Sequence, residues 1–145
     1  GGVGVLLAKD SDVFGDIISL FFKNQHVPLL QPYIPTPFDI RVFVIGDCVI
    51  GAIRREGKIH KHNASLGAKI TYIPANKLPP NISEYSISSS NSLGLSISGV
   101  DFLHPPEGPI LLEINPSPGF KALSIASKTN IQQNIVEFLV HLSRT

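Results

Sequence analysis

The sequence predicts an α+β fold, an antiparallel sheet flanked by helices, on three observations. Two β-rich runs, 39–45 and 48–54, are separated by Gly46-Asp47, the two-residue linker of a tight hairpin. Two further apolar runs, 98–103 and 109–115, are joined by His104-Pro105-Pro106-Glu107-Gly108, a turn built from chain-reversing residues. Stretches with apolar residues at helical spacing stand before the first pair, between the pairs and after the second, which layers helix on sheet around one core. At 145 residues the chain has the size of one domain.

Taken in order, Gly1-Gly2-Val3-Gly4 reads as a glycine-rich turn that runs into a short buried strand at 5–8. Ser11 and Asp12 offer N-caps to a helix in which Val13, Ile17, Ile18, Phe21 and Phe22 form one apolar stripe, ending near Asn24 ahead of Pro28. A second strand at 29–34 is cut by Pro32 and closed by Pro35 and Pro37. The hairpin that follows is apolar on both faces, so it should lie centrally in the sheet, with Cys48 as a buried small hydrophobe. If Ile45 pairs with Cys48, Asp39 faces Arg54 and shares a face with Arg41, because side chains alternate with period two. Taken alone, an ion pair at a sheet margin accounts for these charges.

The polar stretch 56–66 reads as a loop, and its His60 and His62 have no third metal ligand at a suitable spacing. A short strand is expected at 70–73. The serine-dense segment 81–95 permits a linker, but Ile82, Tyr85, Ser89 and Leu93 favour an amphipathic helix. The final helix starts near Thr129 or Asn130 and carries Ile131, Ile135, Phe138, Leu139 and Leu142 on one stripe.

Composition removes several function classes. A net charge of +1, with charged residues at 16% against about 25% in an average domain, argues against a nucleic-acid surface, an acidic tail and disorder. No apolar run approaches the roughly 20 residues of a membrane span. One cysteine makes neither an internal disulfide nor a metal cluster and is compatible with a reducing cytoplasm. The lack of any methionine, together with the glycine start, leads to the expectation that the chain is a fragment.

The second hairpin carries the chemistry. With its turn centred on Glu107, Asp101 lies opposite Glu113, and Asn115 shares the face of Glu113. Cross-strand neighbours are about 5 Å apart at Cβ, a span that hard cations bridge. Two facing carboxylates in an apolar strand repel unless a cation or donor compensates, although two solvent-facing acids would need no such partner. Oxygen donors without thiolate or spaced imidazole favour Mg²⁺, with Mn²⁺ as the alternative. The glycines Gly2 and Gly4 could present N–H groups to phosphate or simply make a turn; beside a carboxylate face and internal arginines, a nucleoside triphosphate gains weight.

Gly2-Val-Gly-Val5, Gln31-Pro-Tyr-Ile34, Asp39-Ile-Arg-Val-Phe-Val-Ile-Gly-Asp47, Gly99-Val-Asp101 and Leu112-Glu-Ile-Asn-Pro-Ser-Pro-Gly-Phe120 together resemble the RimK-type α-L-glutamate ligases of the ATP-grasp superfamily. The resemblance implies the C-terminal part of an ATP-grasp domain, residues 1–145, without the family's N-terminal domain and upstream lysines. It implies Mg²⁺ on Asp101, Glu113 and Asn115; adenine at the backbone of Gln31, Pro32 and Tyr33; ribose at Asp39; and ATP contacts from Lys61, His62 and Asn63. Gly2 and Gly4 fall in the phosphate-covering loop, and Arg41 and Arg54 are placed to meet phosphate or acyl substrate. Pro32 replaces the family's Glu and Lys61 its Arg, which keeps the charge but loses the bidentate fork.

The implied activity is an ATP-dependent carboxylate–amine ligation in the cytoplasm. L-glutamate would be joined to a carboxylate acceptor, a protein C-terminus or a small molecule, by a protein that admits a homo-oligomer. A truncated, non-catalytic remnant and a plain nucleotide- or metal-binding module remain the alternatives.

Overall fold

A computed structural model describes residues 5–57 and 68–144. Gly2, Gly4, Lys61, His62 and Asn63 therefore lie outside the described residues. The described chain forms helix α1 (Ser11–Lys23), strands β1 (Asp39–Ile45), β2 (Cys48–Glu56) and β3 (Lys69–Ile73), helix α2 (Pro80–Ser92), strands β4 (Ile97–Leu103) and β5 (Ile110–Asn115), and helices α3 (Lys121–Ser127) and α4 (Ile131–Leu142). The five strands make one antiparallel sheet in the order β3-β2-β1-β4-β5. This is the α+β architecture the two hairpins predicted, with the first hairpin in the middle of the sheet.

Period-two alternation in β1 divides the sheet into two faces. Ile40, Val42 and Val44 point to one side, where Ala52, Val100 and Phe102 meet Leu78, just ahead of α2, and Ile82 in its first turn. Phe43 and Ile53 point to the other, against Leu123 of α3 and Ile131 of α4. The stripe of α2 differs from the expected one. Ile82, Ser86 and Ser90 are buried, whereas Tyr85 and Leu93 are exposed. Serine can face the sheet because Ser86 and Ser90 donate their hydroxyls to Ile82 O (2.7 Å) and Ser86 O (2.8 Å), leaving no polar group unsatisfied.

Other expectations are corrected. The proposed strands at 5–8 and 29–34 pair with nothing among the described residues, and Pro28, Pro32 and Pro35 cannot donate to a ladder. Asp10, not Ser11 or Asp12, caps α1: its Oδ1 accepts the Val13 N–H at 2.8 Å. None of the α1 residues is buried, and Leu20 and Phe22 are exposed. Cys48 is exposed, because it opens β2 at the sheet margin beside the turn. That turn needs Gly46, whose φ is +56° and whose added Cβ would meet Phe138 at 2.8 Å. In α4, Ile131 is buried while Leu139 and Leu142 are exposed.

Helix α3 was not foreseen from sequence, yet it supplies the fully buried Leu123. Helix α4 begins where Asn130 accepts the Gln133 N–H at 3.2 Å. Because Ile131 follows this cap directly and is core, Asn130→Ala should lower stability by about 1 kcal/mol, read as a shifted urea midpoint at constant slope.

Candidate functional site

The face that carries Phe43 and Ile53 changes character along its length. At one end it is apolar and lies under α3 and the start of α4. At the other it presents Asp39 and Arg41 from β1, Arg55 from β2, Asp101 from β4, and Glu113 and Asn115 from β5. Register explains the assembly: Arg41 is paired with Asp101, Asp101 with Glu113, and Asp39 with Arg55.

These side chains form a ladder of alternating charge. Arg41 donates Nε to Asp101 Oδ1 and Nη2 to Asp101 Oδ2, both at 2.6 Å, and its Nη2 lies 3.5 Å from Glu113 Oε1. Arg55 donates Nε and Nη2 to the two oxygens of Asp39 at 2.6 and 2.8 Å. Its Nη2 also reaches Asp101 Oδ2 at 3.0 Å, so Asp101 is held from two sides. Asn115 donates Nδ2 to Glu113 Oε1 at 3.0 Å. Gly99 leaves room for the loop after β5 to return over β4, since a Cβ there would meet Pro118 at 2.7 Å.

Burial divides the ladder into a fixed end and an open end. Asp39, Arg55 and Asp101 are between 2% and 4% exposed, whereas the Glu113 side chain keeps 55% of its surface. Burial lowers the pKa of the Arg55 guanidinium, but the Asp39 hydrogen bonds and the charges of Asp101 and Asp39 outweigh it and leave the pKa raised. Fork-to-fork geometry of this kind suits arginine and not lysine.

The arrangement confirms the opposition of Asp101 and Glu113 and corrects one arginine. A bulge in β2 between the partners of Phe43 and Val44 shifts the register by one, so that Asp39 faces Arg55 instead of Arg54. Arg54 therefore sits on the opposite face, with its guanidinium carbon 3.8 Å from the Phe38 ring centroid and Nη2 2.9 Å from Glu56 Oε1. Arg55 is the residue that sequence reasoning missed; the adjacent arginine pair was its signal, but the bulge was not legible. Gln31, Pro32 and Tyr33 are exposed in the segment before β1, outside the ladder.

Among the described residues no three His, Cys, Asp or Glu side chains cluster to hold a metal. The expected set of Asp101, Glu113 and Asn115 has two carboxylates and an amide, and in donor chemistry it fits a hard cation that keeps water ligands. No helix among the described residues is long and apolar enough to cross a membrane.

A family model described as RimK-like ATP-grasp domain matches residues 1–139. The probable alpha-L-glutamate ligase 1 of Shewanella denitrificans is 32% identical over 142 residues, 95% of this chain and 47% of that protein. The probable alpha-L-glutamate ligase of Legionella pneumophila strain Corby is 34% identical over 143 residues, 95% of this chain and 46% of that protein. The chain thus spans about half the length of these curated relatives. Among solved structures, the D-alanine–D-alanine ligase of Bacillus anthracis superposes with a TM-score of 0.69 at 16% identity, covering 99% of this chain and 52% of that one. The ATP-grasp ligase PsnB, solved with precursor peptide PsnA2 and AMPPNP, gives 0.62 at 22% identity, covering 77% and 34%. At such identities the likeness is one of fold, and it agrees with the sheet order and with the sequence match: this chain belongs to the RimK-like ATP-grasp family.

Proposed function

We propose that this sheet face is the nucleotide- and cation-binding side of an ATP-dependent carboxylate–amine ligase that adds L-glutamate to an acceptor. The observation that carries the reading is the placement of three carboxylates, an amide and two arginines on one face, at the end of the sheet away from the apolar cluster of Phe43 and Ile53. Curated relatives named as probable alpha-L-glutamate ligases supply the amine, and PsnB, solved with Mg and ADP, supplies the nucleotide and the cation.

In this reading the γ-phosphoryl group of ATP passes to an acceptor carboxylate, releasing ADP. The amine nitrogen then attacks the acyl carbon; the C–N bond forms, the C–O bond to phosphate breaks, and the amine loses a proton. Asp101, Glu113 and Asn115 hold Mg²⁺, which when bound neutralises polyphosphate charge. Arg41 stands beside them to meet the transferred phosphoryl group, whereas Asp39, expected at the ribose, is 4% exposed with both oxygens held by Arg55 and serves as that arginine's partner. Gln31, Pro32 and Tyr33 receive adenine, while Gly2, Gly4, Lys61, His62 and Asn63 complete the ATP contacts. No side-chain nucleophile is required, because positioning and electrostatics carry such a transfer.

The test is ADP release by the polypeptide that contains this chain. Release that requires both L-glutamate and Mg²⁺ is the expected result. Release indifferent to glutamate, with another amino acid supporting it, would remove the glutamate assignment.

A further inference from the structure

Arg41 and a divalent cation need the same oxygens. Nε and Nη2 of Arg41 occupy both carboxylate oxygens of Asp101 at 2.6 Å, and Nη2 lies 3.5 Å from Glu113 Oε1. Asp101 is 2% exposed and already accepts a third bond from Arg55, so no second approach to it is open to solvent. Arg41 differs from Arg55 in access. Its side chain keeps 16% of its surface, against 4% for Arg55, and it lies at the open end beside the half-exposed Glu113.

Charge counting points the same way. Asp39, Asp101 and Glu113 against Arg41 and Arg55 leave one formal negative charge on the ladder. A dication added to that set would leave a buried excess of positive charge. With Arg41 withdrawn, the remaining set carries two negative charges, which a dication balances. Uncompensated charge in a buried site is costly, so the exchange is favoured over the addition.

We infer that Arg41 is an exchangeable counter-ion of Asp101 and Glu113: it yields both carboxylates to the divalent cation and turns to the phosphate that the cation accompanies. Arg55 stays in place and keeps Asp101 paired throughout. This inference rests on the cation and nucleotide reading above and adds the role of Arg41 and its order of contacts. It also gives Arg41 two partners in turn, a carboxylate pair before cation binding and a phosphate after it.

Two measurements on the chain, made without acceptor or amine, test this. In the first, Mn²⁺ binding is titrated by electron paramagnetic resonance. Arg41→Gln removes the competitor while Arg55 still pairs Asp101, and it should bind Mn²⁺ roughly tenfold more tightly, the ratio expected when a charge-assisted fork no longer has to be broken. Arg41→Lys keeps the charge but cannot cover both oxygens, and should retain part of that gain. In the second, the Nε–H resonance of Arg41 is followed by ¹⁵N NMR during a Mg²⁺ titration, with AMPPNP added afterwards. The resonance should leave its hydrogen-bonded position with Mg²⁺ while that of Arg55 stays, and move again with AMPPNP.

Cation and nucleotide binding with an unmoved Arg41 resonance and unchanged Mn²⁺ affinity in Arg41→Gln would overturn the exchange and leave the proposed function standing. Absence of any Mg²⁺, Mn²⁺ or AMPPNP binding would overturn both.

Discussion

Replacing Arg55 by methionine is expected to cost about 3–5 kcal/mol of stability, the range for removing one partner of a buried ion pair. The size follows from what is left behind. Asp39 loses the two bonds from Arg55 at 2.6 and 2.8 Å, and Asp101 loses its 3.0 Å bond from Arg55, in a site where both are nearly inaccessible. Against a total of about 5–15 kcal/mol for a typical domain, such a loss brings the fold close to its limit. Arg55→Met should therefore show a much lower urea midpoint, and adding Asp39→Asn should recover part of it by removing a buried charge that has lost its guanidinium. A shift below about 1 kcal/mol would mean that the ladder is more hydrated than its burial indicates.

The sign of the pH effect follows from the raised Arg55 pKa. A cationic group whose folded pKa is raised gives stability that is complete below its unfolded pKa and is lost as pH rises through the folded one. For arginine that window lies above the range in which proteins are handled. The difference in midpoint between the wild type and Arg55→Met should thus stay constant from about pH 7 to 10.

Glu113→Ala is expected to do the reverse, leaving the fold and removing the function. The Glu113 side chain keeps 55% of its surface, and Arg41 stands at 3.5 Å, too far for a strong bond. Exposed pairs contribute about 0–1 kcal/mol, so the urea midpoint should hardly move. If Glu113 is a cation ligand, Mg²⁺-dependent ADP release should fall on the order of a hundredfold or more, since residues that only orient a ligand account for about 10–100-fold. Glu113→Gln, which keeps the shape and loses the charge, should fall nearly as far. Retained turnover in either variant would refute the ligand assignment.

How much was legible in the sequence depended on whether local chemistry or long-range register decided the outcome. Both hairpins were readable because Gly46-Asp47 and the Pro-Pro-Glu-Gly turn mark where the chain reverses; counting outward from Glu107 put Asp101 opposite Glu113, as the sheet has it, although the pairs nearer the turn, Phe102 with Leu111 and Leu103 with Ile110, are one residue off that count and a register shift between Asp101 and Phe102 brings the two carboxylates face to face. The same counting failed at Arg54 and Arg55, because a bulge is one extra residue whose place no turn signal marks. Helix α3 was missed because it has seven residues, follows Pro116, Pro118 and Gly119, and has no capping side chain. The stripe of α2 was misread because size, not hydrophobicity, selected its buried side: the helix packs by its serines, whose hydroxyls close on its own carbonyls. The family resemblance reached the site through motifs that lie on β1, β4, β5 and the loop after β5. It carried no information about which side of β2 its two arginines would take.

That doublet has a consequence for tolerance. Were the β2 irregularity to anneal out of the hairpin, every residue beyond it would turn over, and in most strands such an inversion would take the β2 guanidinium away from Asp39 and leave Asp101 to Arg41. Here Arg54 would rotate in as Arg55 rotated out. The charge balance of the face is therefore insulated from the loss of this one irregularity in its backbone.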